Sequence, residues 1–173
     1  KDYTKGLLLR GYLAEDFKKL SIVKNDNFIG NKKLIPSFIS IGKELSFNYD
    51  IKIGDKLLIM SPTGVQTIIG SLPKQETYIV DSIFDSEISD FDQNVAFINL
   101  SDLESLFDLK VAERNLEIYL KNPKKIETIK KKLEKIFKDY YVYTWSDSNK
   151  SLFSALKVER NVMFIILSLI IIV

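Results

Sequence analysis

The sequence predicts an α+β fold of two lobes that ends in a helix with a wholly apolar end. Short apolar or alternating runs of strand length are interspersed with segments of helical periodicity. A strand-rich middle, residues 35–94, lies between strand–helix units near the two chain ends. The last residues, 162–173, carry no charged side chain and a single hydroxyl group.

The composition is that of a globular chain without the usual catalytic side chains. Its 173 residues are enough for one domain or two small lobes, and 46% of them are hydrophobic. It contains neither histidine nor cysteine, which excludes the commonest general base, a Ser-His-Asp arrangement, thiolate chemistry and disulfides. The formal net charge of +2, with lysines spread along the chain, does not indicate a nucleic-acid partner.

No catalytic residue, metal site or cofactor site is predicted. The acidic segment of residues 85–92 lacks the central glycine and terminal glutamate of an EF-hand loop, so a solvated turn is expected rather than a calcium site. No glycine-rich phosphate loop is present either. The composition therefore indicates a binding or structural domain rather than an enzyme.

The first elements are a strand and a helix. Residues 6–11 predict a buried strand, because a short apolar run lies between two glycines. Residues 12–21 then place Leu13, Phe17 and Leu20 at helical spacing.

The middle of the chain predicts strands around one short helix. Residues 35–41 contain Pro36 and indicate an edge strand or the start of a strand. A brief helix is predicted at 42–47, a turn followed by a strand at 53–60, and another strand at 78–84.

An acidic loop at residues 85–93 is predicted to lead into a strand at 94–98. A short helix should follow, because Ser101 and Glu104 have the spacing of a capping box, in which each side chain bonds the other's backbone amide.

The last third alternates again between strand and helix. Residues 115–120 alternate in polarity and predict a half-buried strand, after which Asn122 and Pro123 are typical of a helix start. A second strand is predicted at 140–144 and one continuous helix at 146–173. The helix after Pro123 places its apolar residues on one stripe: Ile126, Ile129, Leu133, Ile136 and Phe137.

Residues 62–73 predict a long connection between two strands. The segment has two prolines and two glycines, and its apolar Val65, Ile68 and Ile69 are expected to be exposed. Most hairpin loops have about two to five residues, and longer ones often carry function. Proline lowers the entropy lost on ordering, so a docking element is the interpretation, with an ordinary flexible hairpin as the alternative.

The apolar end fits either a buried core helix or a membrane-spanning helix cut short, since a span needs about 20 apolar residues. The absence of a polar face favours the span, and the charged residues 157–160 precede it as at a membrane boundary. We therefore expect an extramembrane domain that carries the start of a transmembrane helix, with its last dozen residues poorly buried.

Several of these segments together resemble a known family. Residues 41–45 (IGKEL), 53–62 (IGDKLLIMSP) and 78–84 (YIVDSIF) resemble the extracytoplasmic domain of MacB-type ABC transporter permeases. The closing pattern from Trp145 to Ile170, together with the opening strand, is more specifically similar to the LolC/LolE permeases of the lipoprotein-releasing system.

The resemblance implies a two-lobed MacB-like periplasmic fold. Residues 1–34 and 95–145 would form a Porter-like lobe, and residues 35–94 an inserted, strand-rich Sabre-like lobe. Residues 146–173 would be a stalk helix that enters the membrane.

The resemblance also implies a function. The chain would be the periplasmic domain of a permease in the inner membrane of a Gram-negative bacterium, which releases outer-membrane lipoproteins. A LolA-like periplasmic chaperone would be recruited through a hairpin hook and an adjacent pad. ATP hydrolysis would lie on a separate cytoplasmic ATPase subunit, and a second permease subunit would complete a homo- or heterodimer.

The resemblance can be carried onto particular residues. The pad would comprise Lys74 and Gln75, while Leu58 and Glu76 stand where the family pattern carries arginine. This departure favours chaperone binding through the loop backbone and its apolar tip, and a hybrid of LolC and LolE roles also fits. The hook would comprise Pro62, Thr63, Gly64, Val65, Gln66, Thr67, Ile68, Ile69, Gly70, Ser71, Leu72 and Pro73.

Two other functions stay open on the sequence. One is a MacB-like export permease whose domain contacts an adaptor protein. The other is a membrane-anchored regulator of another periplasmic protein.

Overall fold

The computed structural model describes residues 4–67 and 70–172. The chain forms two compact units, Lys1–Asn115 and Leu116–Val173. The first unit contains a six-stranded mixed sheet with short helices, so the predicted α+β class is confirmed.

The sheet has the strand order β1-β6-β3-β5-β2, and β4 pairs with β5 off this path. The pairs β1–β6 and β3–β5 are parallel, whereas β3–β6, β2–β5 and β4–β5 are antiparallel. The strands are β1 Leu8–Tyr12, β2 Ile29–Gly30, β3 Phe38–Gly42, β4 Lys56–Thr67, β5 Gly70–Phe84 and β6 Val95–Asn99.

Among the described residues of this unit, four short helices connect the strands, and a fifth follows β6 and precedes a 3₁₀ turn at Val111–Glu113. They are α1 Ala14–Phe17, α2 Ser21–Lys24, α3 Lys43–Tyr49, α4 Ser89–Asn94 and α5 Leu100–Phe107.

Apolar side chains cover both faces of the sheet, because successive residues of a strand point to opposite sides. Strand β6 shows this directly: Val95 and Phe97 belong to one core cluster, and Ala96 and Ile98 to the other. The first cluster comprises Phe17, Leu20, Val23, Phe28, Leu34, Phe84, Val95 and Phe97. The second comprises Ile39, Ile41, Leu45, Tyr78, Val80, Ala96, Ile98 and Leu106.

Most of the strands predicted up to residue 98 are present, but two features differ. The segment 12–21 contains two single-turn helices, α1 and α2, rather than one continuous helix. Strand β3 lies inside the sheet, between β6 and β5, and not at its edge. The strand begins at Phe38, after Pro36, so the missing proline N–H lies outside the ladder.

The acidic segment is more ordered than a solvated turn. Helix α4 occupies its second half, and Asp85 and Asp92 are buried. Both oxygens of Asp92 accept the backbone N–H of Ser86 at 3.1 Å, and Asp85 accepts the Lys43 ammonium at 2.8 Å. The predicted solvated turn is therefore wrong, because local hydrogen bonds satisfy these carboxylates in the interior.

The predicted capping box is also wrong, although α5 itself is present. Asn99 caps the helix, and its side-chain oxygen accepts the backbone N–H of Ser101 at 3.0 Å. Glu104 instead forms an ion pair with Arg114. Asparagine is as good an N-cap as serine, so Asn99 can begin the helix two residues before Ser101.

Paired strands replace most of the predicted long connection at residues 62–73. Strand β4 continues to Thr67 and β5 begins at Gly70, so the connection is the two residues 68–69, outside the described residues. Both prolines lie beside an irregularity in the ladder between Met60 and Gly64, where a missing N–H is tolerated.

The second unit contains a 3₁₀ turn at Pro123–Lys125 and three helices: α6 Ile126–Ile136, α7 Trp145–Ser148 and α8 Lys150–Ile172. The predicted strands at 115–120 and 140–144 are wrong, since neither has a strand partner in the described part of the chain. Alternating polarity indicates which face of a strand would be buried. A strand forms only where a neighbouring strand is available to share backbone hydrogen bonds.

The last helix begins with a break. Asn149 separates α7 from α8, so residues 146–173 are not one continuous helix. The apolar side chains from Val162 to Ile172 are exposed, as expected. No helix within residues 4–67 and 70–172 has both the length and the hydropathy to cross a membrane.

The sheet draws on both segments that were assigned to separate lobes. Strands β1, β2 and β6 come from the predicted Porter-like segments, and β3, β4 and β5 from the predicted Sabre-like segment. The two-lobe division stays a prediction.

Candidate functional site

The candidate site is the hairpin of β4 and β5. Its strands pair in two runs, residues 56–60 with 75–79 and residues 64–67 with 70–73, separated by the irregularity between Met60 and Gly64. We call the second run, near the connection, the distal end.

The hairpin extends beyond the sheet. Residues 79–84 of β5 pair with β3, whereas residues 70–78 have β4 as their only strand partner among the described residues. This part of β5 and its β4 partner are therefore a two-stranded ribbon attached to the sheet at one end.

One face of the ribbon, the inner face, packs against the protein. Tyr78 is fully buried and belongs to the same core cluster as Leu106 of α5. Its hydroxyl donates to Glu76 Oε2 at 3.0 Å, and Glu76 is two residues away on the same face. Burial, together with this hydrogen bond, raises the pKa of Tyr78 well above its ordinary value.

Lys74 is the next residue on the inner face. It is half-buried, and its ammonium donates to the backbone oxygen of Ser105 in α5. This contact joins two residues that are 31 positions apart in the chain. Lys74 is therefore engaged within the domain rather than free on the surface.

The opposite face of the ribbon is exposed and partly apolar. The register places Leu58 opposite Thr77 and Met60 opposite Gln75, and directly opposed residues share a face. Leu58 is 57% exposed and Met60 49%. We call these four side chains the outer strip.

The structure separates the predicted site residues. The backbone of residues 64–67 and 70–73 forms the distal end, where Leu72 and Pro73 are exposed, and Pro62 and Thr63 lie in the irregularity before it. Ile68 and Ile69 lie outside the described residues, as does the side chain of Val65, so the predicted exposed tip stays a prediction. Gln75 lies on the outer strip and Lys74 on the inner face.

Sequence reasoning did not select Leu58 and Met60 as candidate binding residues. The segment from Leu57 to Met60 is apolar throughout, so its sequence does not show which residues face the protein. Only the cross-strand register with β5 separates the half-buried Leu57 and Ile59 from the exposed pair.

The described side chains offer no alternative centre of metal chemistry. No group of three or more aspartates or glutamates is placed to hold a metal ion in the described part of the chain. The Lys43 ammonium holds the pKa of Asp85 below its usual value, and the same carboxylate accepts the backbone N–H of Glu87 at 3.0 Å.

No family model matches the chain. Curated relatives named lipoprotein-releasing system transmembrane protein LolC do match nearly all of it. The protein from Xylella fastidiosa strain 9a5c is 26% identical over 183 residues, covering 95% of this chain and 40% of the relative. The Neisseria meningitidis serogroup B protein is 27% identical over 173 residues, covering 96% of this chain and 41% of the relative.

A third LolC, from Buchnera aphidicola, is 28% identical over 142 residues and is matched by 80% of this chain. The chain spans about 40% of the length of the Xylella and Neisseria relatives. Similarity over nearly the whole chain to several LolC proteins agrees with the resemblance in the sequence motifs, so the chain is similar to one part of the LolC-type permeases of lipoprotein-releasing systems.

Proposed function

We propose that this chain is the periplasmic domain of a lipoprotein-releasing permease and that it recruits a LolA-like chaperone through the β4–β5 hairpin. The similarity to LolC proteins supports the transport system. The observation that carries the docking role is the ribbon of residues 56–67 and 70–78, which leaves the sheet and has an exposed apolar face.

The outer strip and the distal end supply the proposed docking surface. Covering exposed apolar side chains stabilises a complex by about 25 cal/mol per Å² buried. Leu58, Met60 and Leu72 are each about half exposed, so a partner that covers them gains free energy that the free domain does not have. The described hook residues, 62–67 and 70–73, and the pad residues Lys74 and Gln75 lie on the two strands of this hairpin.

Charge contributes little to the proposed docking. The Lys74 ammonium already donates to Ser105, and Glu76 accepts the Tyr78 hydroxyl. Lys74 and Glu76 also carry opposite charges two residues apart on the inner face, so they largely offset each other, and binding should depend only weakly on ionic strength.

The rest of the proposal follows the resemblance. The domain is two-lobed and MacB-like, and α8 continues into the inner membrane of a Gram-negative bacterium. The exposed apolar residues from Val162 to Ile172 support that direction, since they gain nothing from packing within the domain. Lipoproteins are the substrates, a second permease subunit completes the transporter, and a cytoplasmic ATPase subunit hydrolyses ATP.

Replacing residues 62–73 with Asn-Gly tests the docking role. Asn-Gly is a preferred two-residue hairpin turn, so the run of pairs at 56–60 and 75–79 should still form. We expect calorimetry to show binding of the LolA-type chaperone from the same organism by the wild type and none by this variant. Circular dichroism must show that the variant is folded.

The matched control is Phe47→Asp, which introduces a charge at an exposed aromatic position on α3, away from the hairpin. It should bind as tightly as the wild type. Wild-type affinity in the folded hairpin replacement would contradict the proposed docking role.

A further inference from the structure

We propose that Lys74 is a positioning residue that sets the direction of the hairpin by holding β5 to the C-terminal end of α5. The importance of this tie for docking rests on the proposed function of the hairpin. Its existence can be tested without any partner.

The acceptor of the Lys74 ammonium is a carbonyl at a helix end. Helix α5 ends at Phe107, and the left-handed Asp108 closes it with φ 54°. The backbone N–H groups of Asp108 and Leu109 both donate to Glu104 O. The last carbonyls of a helix lack helical donors, and Ser105 O receives the Lys74 ammonium instead. A cation here also interacts favourably with the helix dipole.

Lys74 marks the point where the ribbon leaves the protein. Tyr78 and Lys74 share the inner face of β5, and α5 packs against both through Leu106 and Ser105. Leu72, the next residue on that face, is 55% exposed. The tie therefore lies close to the point where the inner face of β5 becomes exposed.

The ladder is irregular at the same level. The β4 residues between Met60 and Gly64 outnumber the β5 residues between Gln75 and Pro73, so Lys74 lies across from a bulge. Bulges bend and twist a ribbon and interrupt its hydrogen bonds. A ribbon with a bulge along its length pivots there unless contacts with the protein hold it. The Lys74–Ser105 hydrogen bond is one such contact, and the buried Ser61 lies on the opposite strand inside the bulge.

The role assigned to Lys74 follows from this geometry. The Lys74 ammonium orients the distal end through its hydrogen bond to Ser105 and does not itself contact the partner. A ribbon held in its binding direction loses less conformational entropy when the chaperone docks. Removing the tie should thus weaken docking even though Lys74 does not touch the partner.

Hydrogen exchange in the free chain tests the tie. Lys74→Met keeps the apolar stem but removes the donor, and amides of residues 70–72 should then exchange roughly tenfold faster, by the scale of one charged hydrogen bond. Lys74→Arg keeps a donor and should restore most of the protection. Lys56→Met, at an exposed lysine that begins β4, is the control and should exchange as the wild type does. Amides of residues 79–84 should be unchanged in all three variants.

Unchanged exchange of residues 70–72 in folded Lys74→Met would overturn the inference, whatever the chaperone does. Chaperone binding separates the two possible roles of the lysine. A positioning role predicts a weaker affinity with an unaltered salt dependence, whereas direct contact with an acidic partner predicts a reduced salt dependence and wild-type exchange. If the wild-type chain does not bind the chaperone, the proposed function fails, and the exchange experiment still decides the tie.

Discussion

Tyr78 donates its hydroxyl hydrogen to Glu76 at 3.0 Å on the inner face of β5, where the ribbon meets the core. Tyr78 is fully buried, and Glu76 is only partly so. The pair therefore lies where the sheet ends and the ribbon begins.

Removing this hydroxyl should destabilise the domain. Tyr78→Phe leaves a carboxylate without its donor in a partly buried position, and we expect the free energy of unfolding to fall by about 1 kcal/mol. Urea denaturation monitored by circular dichroism measures this free energy of unfolding. Tyr141→Phe is the control, because Tyr141 is exposed, and it should change nothing. Equal stability of Tyr78→Phe and wild type would show that the hydrogen bond has no net value.

The same phenol should make the domain sensitive to alkali. Its folded pKa is raised, so its contribution to stability is complete below the unfolded pKa near 10 and declines as the pH rises above that value. We expect unfolding at high pH to release one buried phenol in the wild type, seen as a step in phenolate absorbance. In Tyr78→Phe the increase in phenolate absorbance on unfolding should be smaller by the contribution of one tyrosine.

Acid should loosen the second unit through Asp147. Its carboxylate accepts the Lys130 ammonium at 2.8 Å and the Thr144 backbone N–H at 2.9 Å, which join α6 to the start of α7. Lys130 and these hydrogen bonds lower the pKa of Asp147 well below its ordinary value. Because the folded pKa is depressed, this stabilisation is present above the unfolded pKa near 4 and is lost as the pH falls below it.

Trp145 reports on this site, since it is the only tryptophan in the chain and begins α7. We expect its fluorescence to change in the wild type as the pH falls well below about 4, towards the depressed pKa at which the Asp147 carboxylate is protonated. In Asp147→Asn the acid-dependent change should be absent. Asp139→Asn, at an exposed carboxylate just after α6, should behave as the wild type. A full acid transition in Asp147→Asn would assign the change to other carboxylates.

The outer strip can be tested separately from the distal end. Leu58→Asp combined with Met60→Asp places two charges on the exposed face while the inner face keeps its packing. We expect the affinity for the LolA-type chaperone to fall at least tenfold, because burying an unpaired carboxylate costs more than about 1.4 kcal/mol. Calorimetry measures it, and the thermal midpoint should stay near that of the wild type. Undiminished affinity would restrict docking to the distal end.

Gly42 should not tolerate a side chain. A Cβ built there would lie 2.0 Å from the backbone oxygen of Asp92, so α4 has to move away from the start of α3. We expect Gly42→Ala to lower the free energy of unfolding by about 1–3 kcal/mol, the usual range for an added carbon in a packed site. Gly6→Ala is the matched control, because no atom lies within 4 Å of its Cβ position, and it should unfold like the wild type. Equal unfolding curves for Gly42→Ala and the wild type would mean that α3 and α4 can move apart without loss of stability.

Local sequence patterns were enough for several elements of the first unit. The apolar run at 6–11 and the strand signals at 53–60, 78–84 and 94–98 are all strands, and 42–47 lies in helix α3 for all but its first residue. The exposed apolar end of α8 also follows from composition. A helix that packs on a soluble core has an apolar face and a polar face, and this segment has no polar face. These features depend on residues a few positions away along the chain, and such local patterns can be read from the sequence.

Only the tertiary structure decided how these elements meet. The interior place of β3, the burial of Asp92 and the missing partners of residues 115–120 depend on which strand or helix lies alongside. The division of Leu57 to Met60 into inner and outer residues depends on a register shared with β5. Lys74 and Ser105 are 31 residues apart, and no periodicity connects them. Periodicity encodes the face that a segment buries, whereas register and contact partners come from packing between distant segments. The sequence by itself therefore determined most strands of the first unit and the family resemblance. The tertiary structure decided the geometry of the hairpin.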